Sequence, residues 1–175
     1  NMNSTPTPNP KADQTLSRNM TLLAHHEMNG FGGLGEGINL QITKTGRRIL
    51  WVAHESAPKN FSGLDVTDPK NPRLIVQTDL PHMQLRSNSL DVYGDILAVA
   101  YQTKVVGLKP AGVDLFDISN PEEPKLLSHF DCSGPHSRGV HALWFVDGKY
   151  IHMSSGAADF EPTNPLDDQF YRILD

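Results

Sequence analysis

Three short stretches of this chain carry polar side chains at the head of an alternating apolar run: "GEGINLQ" at 35–41, "SNSLDV" at 87–92 and "HALWFV" at 141–146. They supply a carboxylate (Glu36), an amide (Asn88) and an imidazole (His141), with Arg86 and Arg138 just upstream. Linear alignment sets Glu36, Asn88 and Ala142 at one level, with Gly35, Ser87 and His141 one residue earlier. Carboxylate and amide oxygens suit a hard cation such as calcium, whereas imidazole suits zinc, copper or iron. A divalent metal held there would polarise a substrate oxygen or supply hydroxide near neutral pH. The two guanidinium groups would grip an anionic part of the substrate. The plainer alternative is that these side chains line a water-filled channel and complete its hydrogen bonds.

Other residues compete for the same chemistry. Of the eight histidines, His54 and His136 join the metal-ligand candidates. His54 ends an apolar run, and His136 sits in "GPHSRGV" where an upstream unit has His82 in "LPHMQLR". His82, His129 and His152 read as structural. Ser87 and Ser137 lie near His and Arg, but a nucleophile–base pair needs spatial contact that spacing does not supply. "GFGGLG" at 30–35 matches a dinucleotide fingerprint, yet a strand-like run follows it where that fingerprint needs a helix. No nucleotide cofactor is expected. The acidic stretch 157–169, with Asp159, Glu161, Asp167 and Asp168, reads as a functional loop, a solvated face or a contact surface.

What must position these residues is a repeat. "GLDVTDPKNPRL" at 63–74 returns as "LFDISNPEEPKL" at 115–126, so that Asp65, Asp117 and Asp175 are 52 and 58 residues apart. Gly46, Gly94 and Gly148 are spaced by 48 and 54, and Pro81 and Pro135 by 54. Each unit reads as four strands, rich in Val, Ile, Leu and aromatics and punctuated by Gly, Pro, Asn and Asp. No stretch carries a helical period. Four strands per unit at a period near 50 is the pattern of a β-propeller blade. The expected fold is therefore all-β, a propeller with about three blades: blade one over 25–80, blade two over 81–131 and an incomplete blade three over 132–175, after a flexible lead-in at 1–24.

The phrases "GLDVTDPKNPRLI" and "LFDISNPEEPKLL" resemble the LVIVD-repeat proteins over about residues 30–175. The resemblance implies a propeller and little about activity. Long insertions such as "QTKVVGLKPAG" and "SGAADFEPTNPLDDQ" depart from the family's short repeat. A Glu and an Asn from successive inner strands are similar to calcium-centred lactonase and phosphotriesterase propellers. A His there is more similar to copper or iron oxidase and oxygenase propellers. With these likenesses the leading expectation is a metal-dependent hydrolase of the lactone or ester type. From the residue chemistry, the expected substrate is a small, anionic molecule and the expected catalytic residues are His141, Arg86 and Arg138. The alternatives are a redox-metal propeller and a non-catalytic scaffold.

Three blades do not close a ring, since propellers have about four to eight. A second chain supplying the other blades is therefore expected as a partner, beside a small-molecule substrate. The net charge of −5 argues against nucleic acid or an anionic membrane, and no apolar run reaches the roughly 20 residues of a spanning helix. The single cysteine, Cys132, forms no intrachain disulfide. With no visible signal peptide, the expectation is cytoplasm or periplasm.

Overall fold

The computed structural model describes residues 19–175; most of the lead-in expected at 1–24 lies outside these. After one 3-10 turn at Met28–Gly30, every regular element is a strand. Strands β1 (Leu34–Ile42), β2 (Arg48–His54), β3 (Lys59–Asp65) and β4 (Arg73–Asp79) form one sheet in chain order. Strands β5 (Leu85–Tyr93), β6 (Ile96–Thr103), β7 (Gly112–Asp117) and β8 (Lys125–Asp131) form a second. Two short strands, β9 (Ser133–Gly134) and β10 (Ser137–Arg138), pair with each other. A third large sheet holds β11 (Val140–Val146), β12 (Tyr150–Ser155) and β13 (Phe170–Leu174). All strand pairs are antiparallel, and the described sheets do not close into a ring. No helix among the described residues is long and apolar enough to cross a membrane.

The repeated Asp-Val/Ile-Thr/Ser phrase is a turn built by a side chain. Asp65 Oδ1 accepts from the Thr67 N–H at 3.0 Å, and Asp117 Oδ1 accepts from the Ser119 N–H at 2.8 Å. Each carboxylate stands in for a backbone acceptor and ends its strand at a fixed place. The Thr67 hydrogen bonds come first, then Arg47, in holding the Asp65 carboxyl down to about 2.

Each sheet has a forward face, turned to the next sheet in the chain, and a backward face. Forward residues Ile49, Trp51 and Phe61 of the first sheet pack against backward residues Leu90, Leu97 and Val99 of the second. Trp51, Phe61, Leu97 and Val99 are fully buried, and each such side chain contributes about 1.5–3 kcal/mol by leaving water. Ala98 and Ala100 on the forward face of the second sheet meet Phe145, Ile151 and Met153 of the third. The small alanines leave room for the larger side chains opposite, which keeps the interior filled.

The first strands β1, β5 and β11 run side by side, and their outer edges lack strand partners. Side chains of β5 replace the missing ladder along β11. Asn88 Nδ2 donates to the His141 carbonyl at 2.8 Å, the Leu143 N–H donates to Ser89 Oγ at 3.3 Å, and the Phe145 N–H donates to Asp91 Oδ2 at 2.8 Å. Asn39 on β1 donates in turn to Asp91 Oδ1. These contacts satisfy backbone groups that would otherwise be buried unpaired.

Candidate functional site

All three first strands break register at the same height. The irregularities lie between Leu34 and Ile38, between Ser87 and Ser89, and between Val140 and Ala142. Glu36, Asn88 and His141 fall within these bulges. A bulge turns its extra residue out of the alternating pattern and re-aims the side chain. Linear alignment had set Ala142 level with Asn88. The bulges set His141 there instead, because Ser89 and Ala142 both resume pairing one residue later, opposite Ala100 and Ser154.

Glycines flank the first bulge. A Cβ on Gly35 would crowd the Asn88 and Ser87 carbonyls, and one on Gly37 would collide with the backbone of Ser89 and Leu90. The "GEG" triplet therefore lets β1 lie directly on β5, with Glu36 exposed between the two glycines.

Asn88 and His141 meet. Besides its bond to the His141 carbonyl, Asn88 Nδ2 lies 3.2 Å from His141 Nδ1. Nδ1 lies equally close, 3.2 Å, to Gln102 Oε1. The imidazole nitrogen thus has a donor on one side and an acceptor on the other, so that either neutral tautomer is held. Nε2 is a base in one tautomer and a donor in the other. Gln102 is oriented by Arg86, whose Nε and Nη2 both donate to its Oε1. Asn88 is 1% exposed and its Oδ1 has no hydrogen-bond partner. A buried amide oxygen left open costs about 1–3 kcal/mol, and the bond from Nδ2 to the His141 carbonyl prevents a flip that would relieve it.

The remaining candidates lie elsewhere. Arg138 forks onto Asp168, with Nε to Oδ2 at 2.6 Å and Nη2 to Oδ1 at 2.8 Å, and so anchors the acidic loop. That guanidinium holds the Asp168 carboxyl below its ordinary value. His136 is half-exposed and sits 3.8 Å from Glu161. His54 is buried, with Nε2 at 2.9 Å from Ser62 Oγ and Nδ1 at 3.4 Å from the Gly32 carbonyl, and burial lowers its pKa. Ser87 and Ser137 donate to backbone carbonyls, and neither is paired with an imidazole among the described residues. Of the predicted set, the structure brings together Arg86, Asn88 and His141, links them through Gln102, and leaves Glu36 one strand away.

Sequence reasoning missed Gln102, which connects Arg86 to His141. Its only signal is an amide at the end of the apolar run "ILAVAYQ". It also missed the Arg138–Asp168 pair, which spans a 30-residue separation.

Among the described residues no group of three or more His, Cys, Asp or Glu side chains is placed to hold a metal ion. The open Asn88 Oδ1 and the His141 imidazole offer one oxygen and one nitrogen, fewer than the three or four protein ligands of a typical metal centre. Comparison with protein-family models and with curated proteins returns no match.

Proposed function

We propose that the three large sheets are consecutive blades of a β-propeller of the LVIVD-repeat type. Its ring is completed by blades beyond the described ones, and its function resides at the bulge row of Glu36, Asn88 and His141. The observation that carries the site is the unpartnered, buried Asn88 Oδ1 beside an imidazole poised between two tautomers. Such a pair suits a small polar molecule. The amide oxygen accepts a hydrogen bond from the ligand or the water that attacks it, and His141 moves a proton. Arg86 adds positive charge for an anionic group. Ester or lactone hydrolysis is the reaction class that this set fits best. A divalent cation would add Lewis acidity, with Asn88, His141 and Glu36 as its share of ligands and the remainder from other blades. His54 holds Ser62 Oγ in the core, and His136 stands half-exposed beside Glu161.

A second reading has its own observation. Asn88 spends its Nδ2 on the backbone of β11, which is what an inter-blade clip does. A non-catalytic scaffold would need nothing more of it. One experiment separates the two: turnover of carboxylate-bearing esters and lactones, with plasma mass spectrometry for bound metal, on the wild type and on His141→Ala. The hydrolase reading expects turnover that falls at least a hundredfold in the variant while far-UV circular dichroism is unchanged. No turnover in the wild type, or equal turnover in both proteins, leaves the scaffold.

A further inference from the structure

The hydrogen-bonding groups around His141 Nδ1 are in competition. Gln102 Oε1 has two lone pairs. Arg86 Nε and Nη2 both donate to it, Nε at 3.0 Å, and His141 Nδ1 is a third claimant at 3.2 Å. Asn88 Nδ2 has two hydrogens. One goes to the His141 carbonyl at 2.8 Å, which leaves the second for Nδ1, 3.2 Å away. While Arg86 holds Oε1, Nδ1 therefore accepts from Asn88 and the ring proton sits on Nε2. An Nε2 that carries a proton is a donor and not a base.

Arg86 can leave this arrangement and Gln102 cannot. The backbone of Gln102 bridges to Gly139, two residues before His141, and the residue is 2% exposed. A Cβ on Gly139 would collide with the Tyr101 carbonyl, so the close approach depends on glycine. Arg86 is only half-buried. Among the described residues its guanidinium donates to Gln102 alone, whereas Arg138 is already paired with Asp168.

We propose that Arg86 decides which nitrogen of His141 is the base, and that a carboxylate on the substrate makes the decision by drawing Arg86 off Gln102. This rests on the reading of the bulge row as the site. A carboxylate takes two parallel guanidinium N–H bonds, each about twice as strong as a bond between neutral groups. The buried Oε1 then needs another donor, and His141 Nδ1 is already in reach. One proton leaves Nε2 for water and one joins Nδ1, with no change in the charge of the ring. Nε2 is then bare and able to take a proton from the attacking water. Arg86 is thus a specificity-determining residue and Gln102 a positioning residue. A neutral ester would meet an imidazole in the wrong tautomer.

Nitrogen-15 correlation spectra of His141 test this, because a protonated and a bare imidazole nitrogen resonate far apart. Loss of signals in His141→Ala assigns them among the eight histidines. With the ring neutral and chloride as the salt, the wild type should carry the proton on Nε2. Arg86→Met should carry it on Nδ1, and so should the wild type when acetate replaces chloride at the same ionic strength. Gln102→Met should keep it on Nε2 in both salts. A proton on Nδ1 in the wild type in chloride, a proton on Nε2 in Arg86→Met, or a Gln102→Met that still responds to acetate overturns the proposal. A response in Arg86→Met with none to acetate overturns the carboxylate as the trigger. None of these readings needs turnover. Where the wild type does turn over, kcat on a carboxylate-bearing ester should exceed that on its neutral isostere by about a hundredfold, and Arg86→Met should erase the difference. A wild type that changes tautomer with acetate but hydrolyses nothing removes the hydrolase reading alone.

Discussion

Asn88 and His141 are the bulge residues of successive first strands, and the amide of one donates to the backbone carbonyl of the other across 2.8 Å. The same pair therefore ties two sheets together and holds the His141 imidazole between Asn88 and Gln102. Stability and chemistry are separable at this point, since the tie uses the His141 backbone and the chemistry would use its ring.

Asn88→Ala should cost about 1–3 kcal/mol, because it leaves the His141 carbonyl without its donor. The loss is offset in part by removing the open Oδ1. His141→Ala keeps the carbonyl and should cost less than Asn88→Ala. Urea unfolding of the two variants checks the order; a larger loss for His141→Ala would place the tie in the imidazole.

Gly37→Ala should destabilise by roughly 1–3 kcal/mol, as overpacking against a rigid partner does. Its added methyl would meet the Leu90 amide and the Ser89 backbone, not a yielding side chain. Gly46→Ala is not an equivalent control, because Gly46 has φ +82°. Gly32→Ala is, since a Cβ there meets nothing within 4 Å. Thermal unfolding should separate the two clearly, and equal melting temperatures would mean that β1 does not lie on β5 as described.

The repeat made the strands legible. Glycine, proline and Asx punctuation is local chemistry, so the paired runs "DILAVAY" at 95–101 and "GVDLFDIS" at 112–119, and the turns after Asp65 and Asp117, could be placed from spacing alone, within two residues of β6 and β7. The bulges were not legible. A one-residue slip is invisible to an alignment that assumes strict alternation, and it shifted His141 by one level. The partners of Arg138 and Arg86 were equally hidden. Asp168 reaches Arg138 only because a long loop folds back, and Gln102 reaches His141 only because β6 lies beside β11. Such contacts depend on packing between units, which no single unit encodes.

Arg138→Met should loosen the acidic loop. Asp168 is 1% exposed on its side chain, and losing its partner leaves a buried charge unpaired. A fully buried pair broken from one side costs about 3–5 kcal/mol. Arg138 is 32% exposed, so water screens part of this and about 2–3 kcal/mol is the expected loss. Limited proteolysis should cut within 157–167 in the variant before it cuts the wild type. Asp168→Asn, which removes the charge but can still accept from Arg138, should be milder. Equal cutting of wild type and Arg138→Met would show that the loop is held by something else, such as the Phe160–Phe170 ring contact at 4.2 Å.

His54 gives the fold an acid-side dependence with a definite sign. Burial comes first in lowering its pKa below the ordinary 6.5, opposed by the Gly32 carbonyl and aided by the Lys59 charge. The unfolded chain therefore binds a proton at a higher pH than the folded chain does. Stability is full above the unfolded value and falls as pH drops below it towards the folded value. Chemical unfolding from about pH 7 to about pH 5 should show this fall in the wild type. His54→Gln, which keeps an amide able to meet Ser62 and carries no titrating group, should show a flatter profile over the same window. The difference between the two profiles isolates His54 from the other histidines. Parallel profiles would mean that the imidazole is as easily protonated in the fold as in the open chain, and that its bond to Ser62 does not depend on the neutral ring.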